Sequence, residues 1–338
     1  MKSRLAIAGV AVIIAVAVLV GTGAPLADSV ALPLFVLWQA LGGALAWHWL
    51  RPQASPLEES GMGLALGTAA AALAGLLTST LGLGPWGWAI PTAVAIVASL
   101  ARRRRAAVGK GASARDLIQG DRLDAAAVFG ALTGVIPGLA VLLYSIRSYP
   151  LHWVGSITSY HPDMAFFEAL ATSLARVGAF DSPFMSGGVV RYHWLTYAWA
   201  GQLTQASHAE PFVTITRLLP VIALLGCAAI IAAWTRRLSP ESWTPALAGL
   251  LLSLGGFVGA VYGGVLTMDS PSQAISVLWL LAFALIAMEA MTTRGRKATH
   301  AVALGVLAFA LVGAKVSAAA PAIAGIVLVA LVQWCRHK

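Results

Sequence analysis

The chain alternates between long apolar runs and short polar connectors over most of its length. A helix needs about 20 apolar residues to cross a bilayer, and these runs reach or approach that length. In lipid a segment must satisfy its own backbone hydrogen bonds, so the runs predict helices. The predicted spans are Leu5–Val20, Ala31–Leu50, Gly61–Leu81, Trp88–Leu100, Ala125–Tyr144, Pro211–Trp234, Trp243–Tyr262, Ala274–Met291, His300–Gly313 and Ala319–Trp334. The pattern therefore predicts an all-α, multi-pass transmembrane bundle of about ten helices.

The composition is typical of a membrane-embedded chain. Of the 338 residues, 59% are hydrophobic and only 10% are charged, and the mean hydropathy is +0.82. Soluble domains usually have about a quarter of their residues charged. The two cysteines, one inside a predicted span and one near the C-terminus, provide no disulfide framework.

The formal net charge of +9 comes from basic residues at the ends of the apolar runs. This distribution follows the positive-inside rule, which predicts that both termini are cytoplasmic. It argues against nucleic acid as a partner, because the cations mark membrane topology. We expect a plasma-membrane protein with the lipid bilayer as a partner and an extracytoplasmic loop at 148–210. The basic clusters are Lys2/Arg4, Arg51, Arg102–Arg105, Arg236/Arg237, Arg294–Lys297 and Arg336/Lys338.

The loop at 148–210 is the longest segment that is too polar to cross a membrane. It contains four of the seven histidines of the chain. Asp163 is a good helix N-cap and Gly178 a good helix stop, so a juxtamembrane helix is predicted between them. A second helical stretch is predicted at 192–204. The polar chemistry of the protein is therefore expected at this loop.

Two parts of this loop, YHPDMAFFEALATSLARVGAF and GGVVRYHWLTYAWAGQL, resemble the first large external loop of GT-C superfamily glycosyltransferases and their uncharacterised bacterial relatives. The resemblance covers roughly residue 125 to the end and implies two juxtamembrane helices in the loop. It divides the chain into an N-terminal region, 1–124, with four membrane helices and a cytoplasmic connector, and a GT-C-like module, 125–338. A typical member places this loop after its first helix, whereas about four helices precede the module here.

The resemblance implies an integral membrane glycosyltransferase. Such an enzyme transfers a hexose or pentose from a polyprenyl-phosphate-linked donor to an extracytoplasmic glycan, lipid or protein of the cell envelope. Two other interpretations stay open: a non-enzymatic transporter or lipid-handling protein, and an inactive relative that acts as an assembly partner. Buried charge and Gly/Ala-rich helices favour the transporter, but no inverted repeat is visible.

The same resemblance assigns catalytic roles to two acids. Asp163 is the expected base for the acceptor hydroxyl, and Asp269 is the expected second acid in the next external loop. Capping Asp163's own helix, and a turn role for Asp269, are the alternatives. His161 and His193 are expected to bind substrate, with a structural role as the alternative. The sequence assigns no cofactor to the reaction. If the reaction uses a divalent cation, Mg²⁺ or Mn²⁺, its candidate ligands are Asp163 and His161.

Three cations, Arg191, Arg217 and Lys315, are expected to bind the donor phosphate. Negative charge gathers on the departing phosphate, and fixed cations aimed at it lower the barrier. Arg217 lies about two turns inside its predicted helix, where an ionisable group marks a functional site by default. The alternatives are a lipid-headgroup contact for Arg191 and a snorkelling side chain for Lys315.

Overall fold

The computed structural model describes residues 2–83, 85–108, 123–151, 163–177, 181–182, 185–189, 194–258, 270–292 and 297–336, and most of them are helical. The helices are α1 (Lys2–Gly21), α2 (Leu26–Leu50), α3 (Pro56–Thr80), α4 (Ile90–Val108), α5 (Ala125–Ile146), α6 (Asp163–Val177), α7 (Leu195–Ser207), α8 (Pro211–Leu238, with a π-helical turn at Thr214–Leu218), α9 (Thr244–Val258), α10 (Pro271–Thr292), α11 (Lys297–Ala314) and α12 (Val316–Arg336). A 3₁₀ turn at Pro85–Ala89 precedes α4, and a small antiparallel hairpin pairs β1 (Asp181–Ser182) with β2 (Met185–Val189).

Six of the described helices, α1, α2, α3, α5, α8 and α10, are long and apolar enough to cross a membrane. Four shorter apolar helices complete the set within the described residues: Trp86–Arg102, Thr244–Leu254, Ala298–Ala314 and Val316–Val327. Each apolar run predicted from the sequence thus overlaps a helix, and residues 259–262 of the run that ends at Tyr262 lie outside the described part of the chain. The helices have the length and composition of a membrane protein.

Helix α3 lies at the centre of the bundle because its small residues allow close approach. It contacts α2, α7, α8, α10 and α11. A Cβ added at Gly67 would lie 2.0 Å from the carbonyl oxygen of Gln39, and one at Gly63 would lie 2.7 Å from that of Ala40. Small residues at such positions let helix backbones pack in lipid, where no hydrophobic effect drives association. Since α3 precedes residue 124 and contacts helices that follow it, one core spans the predicted boundary. The division itself stays a prediction.

Two buried tryptophans, one on α7 and one on α10, donate hydrogen bonds to α2 and α3 through their indole N–H groups. Trp199 of α7 donates to Oε1 of Gln39 at 2.9 Å, and Trp279 of α10 donates to the hydroxyl of Thr68 at 3.0 Å. Both indole rings are fully buried. A buried indole N–H needs such a partner, so these bonds fix the rotation of α7 and α10 about their axes.

Candidate functional site

The two helices of the 148–210 loop are described in part, and they lie close to where the sequence predicts them. Helix α6 begins at Asp163, the predicted residue, and is described to Val177. Helix α7 begins and ends three residues later than predicted, at Leu195 and Ser207. Its C-terminus is set by His208, which adopts the left-handed conformation with φ of 60°.

Helices α6 and α7 pack side by side and run in the same direction. The rings of Phe167 and Tyr197 stack, with centroids 4.7 Å apart and planes inclined by 13°. Five residues after Phe167 on α6 and seven residues after Tyr197 on α7, Thr172 and Thr204 line a common groove. The stacked rings and the shared groove follow each other in the same order along both helices, so the two helices run roughly parallel. The N-terminus of α6, where the exposed Asp163 stands, is therefore at the same end as the N-terminus of α7.

Lys315 lies in the turn between α11 and α12, close to the N-terminus of α7. A Cβ added at Gly313 would lie 2.9 Å from Cβ of Leu195, the first residue of α7. Nζ of Lys315 donates a hydrogen bond of 2.6 Å to Oγ of Ser270, just before α10. Burial lowers the pKa of Lys315 below its ordinary value. The cation therefore lies at the end of the α6–α7 pair where both helices begin.

Arg217 occupies a different position, inside the π-helical turn of α8. Its side chain is 1% exposed. Nη1 donates to the hydroxyl of Thr216 at 2.6 Å, and Nη2 donates to the carbonyl of Tyr149 at 2.5 Å. These bonds hold the segment that follows α5 against α8. Single π-helical turns occur frequently at functional sites.

The contacts do not bring Arg217 and Lys315 to one point. The hydroxyls of Thr204 and Thr214 lie 3.5 Å apart, so the π-helical turn adjoins the later part of α7. Helix α7 rises roughly 14 Å between its first residue and Thr204. Asp163 and Lys315 thus lie at one end of α7, and Arg217 lies towards the other.

The other predicted site residues lie outside the described part of the chain: His161, Arg191, His193 and Asp269. The sequence neighbours of two of them are described, since α7 follows His193 closely and Ser270 follows Asp269. Within the described ranges, no three His, Cys, Asp or Glu side chains are grouped to hold a metal ion. Of the two candidate metal ligands, Asp163 begins α6 and His161 lies outside the described residues, so the metal site stays a prediction.

A groove missed by the sequence reasoning lies between α6 and the corner that joins α7 to α8. We call it the α6 groove. Its volume is about 430 Å³. It is lined by Thr172, Thr204, Gln205, His208, Ala209, Glu210 and Pro211.

Glu168 lies one helical turn before Thr172 on α6, and therefore on the same face of the helix. Burial raises the pKa of Glu168 above its ordinary value, and the negative charge of Glu210 raises it further. The sequence signal for this pair is weak, because 42 positions separate the two glutamates and only the fold brings them together.

A cluster of buried ion pairs, also missed by the sequence reasoning, lies at the end of α8 opposite Arg217. We call it the ion-pair cluster. Glu289 of α10 accepts hydrogen bonds from Nη1 of Arg51 at 2.9 and 3.0 Å, and a third from Arg237. Nε of Arg51 lies 3.1 Å from Oε1 of Glu58. The cluster joins α2, α3, α8 and α10.

Helix α1 joins the cluster through a second carboxylate of α3. Glu59 accepts hydrogen bonds from Arg4 and lies 2.8 Å from Nδ1 of His48. Its side chain is only 6% exposed. From the sequence alone, these arginines are interpreted only as topology markers. The sequence feature that could have predicted these ion pairs is the presence of glutamates at the ends of apolar helices, because an ionisable group there requires a partner.

Comparison of the chain with protein families, with curated proteins and with solved structures gives no match.

Proposed function

We propose that the protein is a membrane glycosyltransferase of the GT-C type, which transfers a sugar from a polyprenyl-phosphate donor to an extracytoplasmic acceptor of the cell envelope. In this proposal ten helices cross the plasma membrane, both termini are cytoplasmic, and α6 and α7 lie on the extracytoplasmic face. The six full-length apolar helices support the membrane setting.

The observation that carries the proposal is the parallel packing of α6 and α7. It brings the start of α6, with Asp163, to the end of the pair where Lys315 lies. An acid and a cation at one end of a juxtamembrane helix pair are the two groups that sugar transfer from a lipid phosphate requires. Ser270, which accepts a hydrogen bond from Lys315, directly follows Asp269 in the chain, and Asp269 itself lies outside the described residues.

Each group has a defined task in the proposed reaction. The carboxylate of Asp163 accepts the proton of the acceptor hydroxyl, whose oxygen attacks the anomeric carbon of the donor sugar. The bond from that carbon to the phosphate oxygen breaks, and the ammonium of Lys315 stabilises the charge left on the lipid phosphate. Arg217 fixes the residues just after α5 to α8 through the carbonyl of Tyr149.

The test uses the full chain in proteoliposomes that contain polyprenyl-phosphate-linked sugars. Mass spectrometry of the purified protein first identifies the lipid-linked sugar that accompanies it. Asp163→Asn is expected to abolish transfer and Lys315→Gln to reduce it at least about tenfold, because one directed charge–charge contact is lost. Asp28→Asn, at the start of α2, is the matched control and should transfer normally. Full transfer by Asp163→Asn would remove that carboxylate from the mechanism.

The ion-pair cluster favours a second candidate, a transporter, because buried ionisable residues in apolar helices also mark ion pathways. Its carboxylates and arginines lie at helix ends and are paired with one another. Proteoliposomes that show substrate-dependent ion flux, sensitive to Glu289→Gln but not to Asp163→Asn, would support this candidate over the enzyme.

A further inference from the structure

Helix α4 packs one face tightly against α2 and leaves the opposite face uncovered. The hydroxyl of Thr92 donates a hydrogen bond of 2.9 Å to the carbonyl of Trp38, and a Cβ added at Gly42 would lie 2.8 Å from Cα of Thr92. These contacts fix the rotation of α4 about its axis. The uncovered face carries apolar side chains three or four positions apart, which we call the apolar stripe: Ile90, Val94, Val97 and Leu100, each between 46% and 67% exposed.

The apolar stripe has the length of one membrane leaflet and leads to a run of four arginines, Arg102–Arg105. From Ile90 to Leu100 the helix rises roughly 15 Å, which is half of the hydrocarbon thickness of about 30 Å. Arg104 lies on the same face, four residues after Leu100, and roughly 6 Å further along the axis. This is the depth of the headgroup layer, which adds about 5–7 Å on each side of the hydrocarbon.

Arg102 lies on the side of α4 that faces α2, where it contacts an aromatic ring. Its Cζ lies 5.8 Å from the centroid of the Trp49 ring. A guanidinium over an aromatic face keeps N–H groups at its edge that can donate to a phosphate. Tryptophan is enriched at membrane–water interfaces, so this pair suits the same depth as Arg104.

The positive charge at the end of α4 differs from that of the other helices because it lacks carboxylate partners among the described residues. Arginines at the same end of the other helices form ion pairs: Arg4 with Glu59, Arg51 and Arg237 with Glu289, and Arg236 with Asp124. Within the described ranges Arg102 and Arg104 form no such pair, and both are exposed. Clusters of four or more basic residues directly after a membrane helix attract anionic lipids.

We propose that α4 binds an anionic phospholipid, whose acyl chain lies along the apolar stripe and whose phosphate accepts hydrogen bonds from Arg102 and Arg104. A free phosphate, a nucleic acid or an acidic protein would contact the arginines alone, whereas a phospholipid contacts the arginines and the stripe together. The inference does not depend on sugar transfer, because none of these residues takes part in the proposed reaction.

The experiment uses the full chain in phosphatidylcholine nanodiscs that contain increasing fractions of phosphatidylglycerol with a photoactivatable group in its acyl chain. After irradiation, mass spectrometry of peptides measures the labelling of residues 90–101, and photoactivatable phosphatidylcholine gives the reference. Phosphatidylglycerol should bind more tightly than the reference. A basic residue near the membrane surface contributes about fivefold to this preference, so Arg104→Gln should lower it about fivefold and the double variant with Arg102→Gln about thirtyfold.

Arg236→Gln is the matched control, because it removes one positive charge at the same end of the bundle from a partly exposed ion pair with Asp124. It should label as the unmodified chain does. Since Arg102 and Arg104 are exposed, their variants should also unfold as the unmodified chain does.

Equal labelling by the two lipids would overturn the inference. An equal loss in Arg236→Gln and Arg104→Gln would do the same, since net charge alone would then attract the lipid. Displacement of the lipid label by an added oligouridylate RNA would identify a nucleic acid as the partner of these arginines and would also refute the lipid site.

Discussion

Replacement of Glu289 by glutamine tests whether the ion-pair cluster holds the bundle together. Glu289 is 3% exposed and accepts three hydrogen bonds from two arginines that belong to different helices. Glutamine keeps the shape and one acceptor oxygen, but removes the negative charge and turns an amide N–H₂ towards Arg51 or Arg237. The change therefore leaves two cations close together without their shared counter-ion.

The size of the effect follows from the exposure of the three side chains. Removing one partner of a buried pair costs about 3–5 kcal/mol, mainly because the remaining charge stays desolvated. The side chains of Arg51 and Arg237 are 19% and 26% exposed, so water can solvate them in part. The expected loss is therefore at the lower end, about 3 kcal/mol in the free energy of unfolding. This corresponds to roughly a hundredfold change in the folding equilibrium.

The measurement is equilibrium unfolding in mixed micelles, followed by tryptophan fluorescence, for Glu289→Gln, Arg51→Gln and the double variant. The double variant should be more stable than the sum of the single losses predicts, because each single change already breaks the Arg51–Glu289 interaction and the double change breaks it only once. Glu241→Gln serves as the surface control and should stay within about 0.5 kcal/mol of the unmodified chain. A Glu289→Gln variant as stable as this control, or strictly additive losses, would refute the cluster as a source of stability.

Two further predictions concern packing and pH. Gly67→Ala should lower stability by at least about 2 kcal/mol, since its Cβ would lie 2.0 Å from a backbone oxygen of α2; Gly305→Ala, with no atom within 4 Å, should be neutral or stabilising in the same unfolding assay. The raised pKa of Glu168 means that the folded chain binds this proton more tightly, so stability should fall as pH rises from about 4.5 through the folded pKa. Glu168→Gln should abolish that fall and exceed the unmodified chain in stability at neutral pH, while equal pH profiles would contradict the argument.

The apolar pattern alone predicts the class of the protein and the position of its helices. Hydropathy is a local property, and in lipid an apolar run has no alternative to the helix. The start of α6 at Asp163 also follows from local capping chemistry. The limits of α7 are less accurate, because its end depends on the left-handed conformation of His208, a choice that capping rules do not specify for histidine.

The apolar pattern does not predict which polar side chains contact each other in the folded bundle. Arg51 and Glu289 are 238 positions apart, and Trp199 and Gln39 are 160 apart. Their meeting depends on the order of the helices in the bundle and on the rotation of each about its axis. The pattern of apolar residues carries little of that information, because a helix surrounded by lipid and other helices is apolar on all sides.

The amino-acid sequence by itself determined that this is a helical membrane protein and where its apolar helices lie, because transfer into lipid and helix capping act on neighbouring residues. Only the tertiary structure decided that α6 and α7 run in parallel, that Arg217 and Lys315 lie towards opposite ends of α7, and that Glu210 lies near enough to Glu168 for their charges to interact. These relations arise from packing between distant segments, where close contacts at small residues such as Gly67 set the geometry.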